Sequence, residues 1–138
     1  GLLGAKANEI TPNKRPLSSM TPTIVMKEND LFFTTGSPGG ARIISAVLQS
    51  ILNIIDFQMN LEEATFAKRI HHQWQPDVLE IEYSINDKLK KELSDMKYNI
   101  DVKDPLTCIQ TIMFQDNKYY GYGDFRRPDA FASGNIND

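Results

Sequence analysis

Leu31-Phe32-Phe33-Thr34-Thr35-Gly36-Ser37-Pro38-Gly39-Gly40-Ala41-Arg42-Ile43-Ile44 changes its structural character within one short stretch. Its first five residues are aromatic, β-branched or aliphatic, as a strand prefers, and Gly36-Ser37-Pro38-Gly39-Gly40 then interrupts them with residues that continue neither strand nor helix. Apolar positions recur at Ile43, Ile44, Val47, Leu48, Ile51, Leu52, Ile54 and Ile55, which predicts a helix over 41–57. They occupy most of its circumference, so burial between two layers is expected. On the other side, 23–27 and 31–35 flank Glu28-Asn29-Asp30, whose turn-forming side chains predict a hairpin of antiparallel strands.

The rest of the chain extends this pattern. Residues 1–22 hold Gly1, Gly4, Pro12, Pro16 and Pro22 with few periodic apolar positions, and read as an irregular arm. Asn60-Leu61-Glu62-Glu63 has the form of an N-cap followed by first-turn acids, opening a short helix to about Ala67. Alternating apolar and acidic residues over 78–83 predict a half-buried strand, and Asn86 or Asp87 caps an amphipathic helix ending near Tyr98. Further strands are expected at 100–102, 108–114 and 119–123, with Asp116-Asn117 turning between the last two. Residues 125–138 read as a surface tail or a final edge segment. The sum is an α+β fold in which helices are segregated from a mainly antiparallel sheet.

At 138 residues, with 41% hydrophobic and 24% charged composition, the chain fits one soluble domain with a single core. Its net charge of −3 and scattered basic residues give no concentrated face for nucleic acid. The helix over 41–57 carries too many polar residues to span a membrane, and Gly1-Leu2-Leu3-Gly4 lacks the features of a signal peptide. Cys108 is the only cysteine, which excludes an intrachain disulfide and a cysteine-based zinc site.

Three groups of residues have chemical potential. Glycines at a strand-to-helix junction let the backbone approach a ligand and present unpaired N–H groups to an anion or oxyanion, and the same loop also serves as a plain tight turn. Pro16-Leu17-Ser18-Ser19-Met20-Thr21-Pro22 holds two hydroxyls between conformationally restricted prolines, an arrangement suited to carboxylate binding or to a solvated turn. Arg69-Ile70-His71-His72-Gln73-Trp74 offers adjacent histidines. No further histidine accompanies them, so hydrogen bonding at a helix end, with Trp74 in the core, is the expected role rather than metal ligation.

Taken together, Gly1-Leu2-x-Gly4, the segment Pro12 to Thr23 with its Pro-Leu-Ser-Ser-Met-Thr-Pro motif, Gly36-Ser37-Pro38-Gly39-Gly40-x-Arg42-Ile43-Ile44 and His71-His72-Gln73-Trp74 resemble gamma-glutamyltransferases in order and spacing. The resemblance implies an αββα sandwich of the N-terminal-nucleophile hydrolase type, with residues 1–138 forming the C-terminal portion of the small, catalytic subunit. It implies a precursor that cleaves itself, a threonine nucleophile in the small subunit upstream of this chain, and a large subunit that supplies an arginine to the substrate carboxylate. Ser18 and Ser19 match the pair that binds the α-carboxylate of the γ-glutamyl group, and Gly39 and Gly40 match the oxyanion-hole glycines. By the same resemblance no metal and no organic cofactor is required, and the partners are the large subunit, the N-terminal part of the small subunit and small γ-glutamyl substrates. The compartment is periplasmic or extracellular, and the isolated chain is expected to be inactive. A non-catalytic anion-binding or assembly domain, and a related acylase such as a cephalosporin acylase or a poly-gamma-glutamate depolymerase, are the competing readings. Proline at Gly40 is expected to be tolerated only if that residue lies in the first helical turn with a compatible φ.

Overall fold

Glu28 and Asn29 both take positive φ, 52° and 74°, so the chain reverses through a left-handed two-residue turn that suits the twist of a hairpin. That turn joins β1 (Thr23–Lys27) to β2 (Asp30–Gly36) in antiparallel register, with Lys27 opposite Asp30 and an irregularity between Val25 and Met26. Asp116 and Asn117, at φ 51° and 59°, play the same part between β6 (Gln110–Gln115) and β7 (Lys118–Gly123). The computed structural model describes residues 6–83 and 85–134. The Gly1-Leu2-x-Gly4 motif and the last four residues of the tail lie outside them.

β2 pairs with β6, giving a four-stranded antiparallel sheet in the order β1-β2-β6-β7. Phe33 stands opposite Met113, and Thr35 opposite Thr111, with their hydroxyls 2.8 Å apart and buried. Because side chains alternate across a strand, Phe33, Thr35, Thr111 and Met113 share the face covered by α1 (Arg42–Ile55) and α2 (Leu61–Phe66). Phe33, Met113, Ile54, Leu61 and Ala64 form one core, continued by Ile43, Ala46, Val47 and Ile109. Asn60 caps α2 through a reciprocal pair of hydrogen bonds with Glu63.

A second sheet contains β3 (Ile70–His71), β4 (Leu79–Glu82) and β5 (Ile100–Lys103), with β3 antiparallel and β5 parallel to β4. The connection from β4 to β5 runs through α3 (Asp87–Asp95), capped by the Asn86 side chain on Leu89 N–H at 2.8 Å. The fold is therefore α+β as expected, although its sheet divides in two and includes one parallel pair.

Several expectations are corrected. The helix over 41–57 buries only one side in this chain, and Ile44 and Leu48 remain 55% and 53% exposed because the elements that pack against it, β2, β3 and α2, leave that side uncovered. α3 ends at Asp95 rather than near Tyr98, since Lys97 turns into the left-handed region at φ 71°. Trp74 is 67% exposed with φ 70°, and the two histidines lie on β3 and the loop after it rather than at a helix end. The alternation in β4 does not put acids in solvent, because Glu82 is 2% exposed and ion-paired. Nor is the start of the tail a surface feature, since Arg126 is its partner inside the core. With α1 open on one side and Ile24 and Ile112 exposed on the sheet's other face, the chain expressed alone should self-associate, visible as early elution in size-exclusion chromatography.

Candidate functional site

Gly39 and Gly40 adopt φ +133° and +60°, both on the side of the Ramachandran map where L-residues are strained. Their carbonyls are the ones that receive the first helical N–H groups: Arg42 N–H donates to Gly39 O and Ile43 N–H to Gly40 O, each at 3.2 Å. Their own N–H groups meet no acceptor among the described residues. Two successive unpaired donors before a helix are what binding an anion would require. α1 itself starts at Arg42 with Ala41 as N-cap, so Gly40 lies outside the first turn at a φ that proline cannot adopt. Neither condition for tolerating proline at Gly40 is met, and substituting it there would rebuild the loop.

The serine pair is brought to the same place. Ser19 Oγ donates to Gly40 O at 2.8 Å, across 21 residues of sequence. Ser18 Oγ accepts from Met20 N–H at 3.2 Å, which leaves its own proton free to donate to a carboxylate. Of the two hydroxyls, Ser18 therefore has the available donor, while Ser19 also ties the arm to the glycine loop.

Of the other residues around the loop, Thr107 and Glu80 had no local signature in sequence, whereas Arg42 and His71 lie in the quoted motifs. Thr107 Oγ1 donates to Pro38 O at 2.6 Å and contacts Ser37 Oγ, which itself lies 2.7 Å from Pro38 O. Arg42 forms a bidentate pair with Glu80, 2.5 Å from Nε to Oε2 and 2.7 Å from Nη2 to Oε1, tying the start of α1 to the second sheet. Hydrogen bonding to Arg42 holds the Glu80 carboxyl below the ordinary carboxylate range, against the opposing effect of burial. His71 sits between Ser45 Oγ, 2.7 Å from Nδ1, and Gln73 Oε1, 3.2 Å from Nε2. A carboxamide oxygen only accepts, so Nε2 carries the proton and Nδ1 faces the serine hydroxyl. These contacts make His71 a structural link between α1 and β3.

Gly39, Gly40, Arg42, His71, Gln73 and Glu80 line a cleft of about 390 Å³. A larger concavity of about 1090 Å³ spreads over the open sheet face and includes none of the predicted site residues. No group of three or more His, Cys, Asp or Glu side chains gathers among the described residues, and no helix there is long and apolar enough to cross a membrane.

A family model described as gamma-glutamyltranspeptidase matches residues 1–134. The chain belongs to that family. It is 45% identical over 135 residues to the glutathione hydrolase proenzyme of Escherichia coli K12, covering 97% of this chain and 23% of that protein. A mutant of Helicobacter pylori gamma-glutamyltranspeptidase superposes with a TM-score of 0.86 at 46% identity, over 92% of this chain and 71% of the other. The Pseudomonas nitroreducens gamma-glutamyltranspeptidase complexed with L-DON superposes at 0.88 and 32% identity, over 100% and 72%. The αββα N-terminal-nucleophile fold expected from the motifs is thus the architecture to which these layers belong. The chain spans about a quarter of the length of the curated relatives it matches.

Proposed function

We propose that this chain is the C-terminal part of the small, catalytic subunit of a gamma-glutamyltransferase, and that it contributes the carboxylate-binding serines and the oxyanion hole. The observation that carries this reading is the Ser19–Gly40 hydrogen bond, which joins the hydroxyl pair and the two unpaired glycine N–H groups in one place. A γ-glutamyl donor has a carboxylate at one end and a scissile amide carbonyl at the other, so it needs both kinds of group at a fixed separation. A threonine hydroxyl, placed upstream of this chain by the family resemblance, attacks the amide carbonyl. The resulting tetrahedral oxyanion is stabilised by the Gly39 and Gly40 N–H groups. Collapse breaks the C–N bond, releases the amine with a proton and leaves an acyl-enzyme, which water or an acceptor amine then resolves. The remaining small-subunit segment and the large subunit complete the site and cover the open face of α1. The reaction's setting outside the cytoplasm belongs to the same proposal and rests on the family resemblance.

The test is made in the complete, processed enzyme with γ-glutamyl-p-nitroanilide. A hydrogen bond to a charged carboxylate contributes about 1.5–3 kcal/mol, so Ser18→Ala should raise KM by roughly ten- to a hundredfold with kcat little changed. Ser19→Ala should raise KM and also lower kcat, because it frees the carbonyl that links the arm to the oxyanion loop. Unchanged constants in both variants and in the double variant would assign the pair to structure and remove the proposal's main support.

A further inference from the structure

Resting on the reading of Gly39 and Gly40 as oxyanion donors, we infer that Thr107 is a positioning residue for the oxyanion hole, setting the direction in which the Gly39 N–H points. A trans peptide is planar, with its C=O and N–H directed oppositely. The Pro38 carbonyl and the Gly39 N–H belong to one such plane, so whatever holds the carbonyl aims the N–H. Glycine does little to restrict rotation of that plane by itself.

Two hydroxyls reach the Pro38 carbonyl, and they are not equivalent. Ser37 is its sequence neighbour and moves with the loop, so its bond refers the carbonyl to the core only through the contact of its hydroxyl with Thr107. Thr107 lies 69 residues away, is buried, and is itself held. Its carbonyl accepts from Arg69 Nη1 at 3.1 Å, and the nearby Ile109 N–H donates to the buried Asp124 carboxylate at 2.8 Å. Its side chain also abuts Gly39 closely, since a Cβ at Gly39 would lie 3.3 Å from both Thr107 Cβ and Oγ1. The second donor is referenced differently. The Gly39 carbonyl, in plane with the Gly40 N–H, accepts from Arg42 N–H and so follows α1. One oxyanion donor is thus aimed by the helix and the other by the Thr107 hydroxyl, which is anchored to the core through Arg69 and Asp124.

The test uses the complete processed enzyme. Thr107→Val keeps the β-branched shape and deletes the hydroxyl. It should lower kcat about tenfold or more, short of the roughly hundred- to thousandfold loss expected when an oxyanion donor is removed outright. KM and competitive inhibition by glutamate should stay unchanged, because ground-state binding does not use the oxyanion. Thr107→Ser should restore kcat, and Ser37→Ala should leave it near the parent value. A parental kcat in Thr107→Val, or an equal loss in Thr107→Ser, overturns the inference. If Thr107→Val does not mature, a large kcat loss in Ser37→Ala would overturn it instead, by showing that the local hydroxyl holds the plane. Replacing the Gly39 N–H by an ester oxygen separates the two levels of argument. Loss of kcat in the ester with a parental Thr107→Val rejects only the role of Thr107, whereas a fully active ester rejects the oxyanion reading itself.

Discussion

Arg126→Ala should destabilise the folded enzyme by about 3–5 kcal/mol, the cost of removing one member of a buried ion pair and leaving its partner charged in the interior. Arg126 Nε and Nη2 meet Glu82 at 2.6 and 2.7 Å, and Nη1 meets Asp124 at 3.1 Å, with all three side chains at most 3% exposed. The same guanidinium donates to the carbonyls of Thr65, Phe66 and Ala67, which close the end of α2. Arg69 completes the cluster at 2.9 Å from Asp124. The measurement is the thermal midpoint of the complete enzyme, with Arg42→Ala as comparison. Arg42 is 38% exposed, so losing its pair with Glu80 should cost no more than about 1 kcal/mol. A similar small effect at Arg126 would show that solvent reaches the cluster. Acid should act in the same direction. Burial pushes the Asp124 carboxyl up, but the Ile109 N–H and the Arg69 and Arg126 charges outweigh it and hold it below its ordinary value. Its folded pKa being depressed, the stabilisation is complete above the usual aspartate range near pH 4 and is lost as pH falls through the lower folded value. Asp124→Asn should flatten that part of the profile.

That cluster had no signature along the chain, and the reason is physical. Periodicity reports which side of an element is apolar, and it therefore anticipated β1, β2, α1, β6 and β7 within a few residues. It reports nothing about which charged side chains meet in the interior. Glu82 read as the wet side of an alternating strand, and Arg126 as part of a polar tail, although each is buried by the other. Thr107 is a similar case, because its partner lies 69 residues away and a single threonine before a strand carries no pattern. α1 is instructive in the opposite sense. Its nearly all-round apolar surface implied burial between two layers, and within this chain the side carrying Ile44 and Leu48 stays exposed. The candidate site was legible where its geometry depends on backbone conformation. Glycines and prolines announce unusual φ directly, and the structure gives Gly39 and Gly40 positive φ. Trp74 is large and apolar, which implies burial, but its left-handed loop projects it outward.

The largest effect on activity should come from removing an oxyanion donor without moving the loop, and the positive φ values dictate how. Proline at Gly40 would demand φ near −65° where the chain has +60°, so any loss of activity would be ambiguous between a missing donor and a displaced backbone. Glycolic acid in place of Gly40 leaves the backbone torsions accessible to glycine and exchanges only the N–H for an ester oxygen. Nothing lies within 4 Å of where a Gly40 side chain would project, so this position tolerates local adjustment. The ester also weakens the Gly39 carbonyl as acceptor for Arg42 N–H, an exposed hydrogen bond worth about 1 kcal/mol, and that effect sets the size of the background to be subtracted. Against it, loss of one oxyanion donor costs roughly a hundred- to a thousandfold in kcat. Acylation and deacylation both pass through a tetrahedral oxyanion, so the release of p-nitroaniline in the first turnover and the steady-state rate should fall together. KM set by the serine pair should not rise. Because self-cleavage of a precursor, as the family resemblance implies it, would also pass through a tetrahedral centre, the ester should be introduced into material assembled from separately prepared subunits, with the thermal midpoint matched to the parent. A kcat within the background of the weakened helix bond would return Gly40 to the role of a strand-to-helix turn, leaving Gly39 and its Thr107 anchor as the sole backbone donor to the reaction.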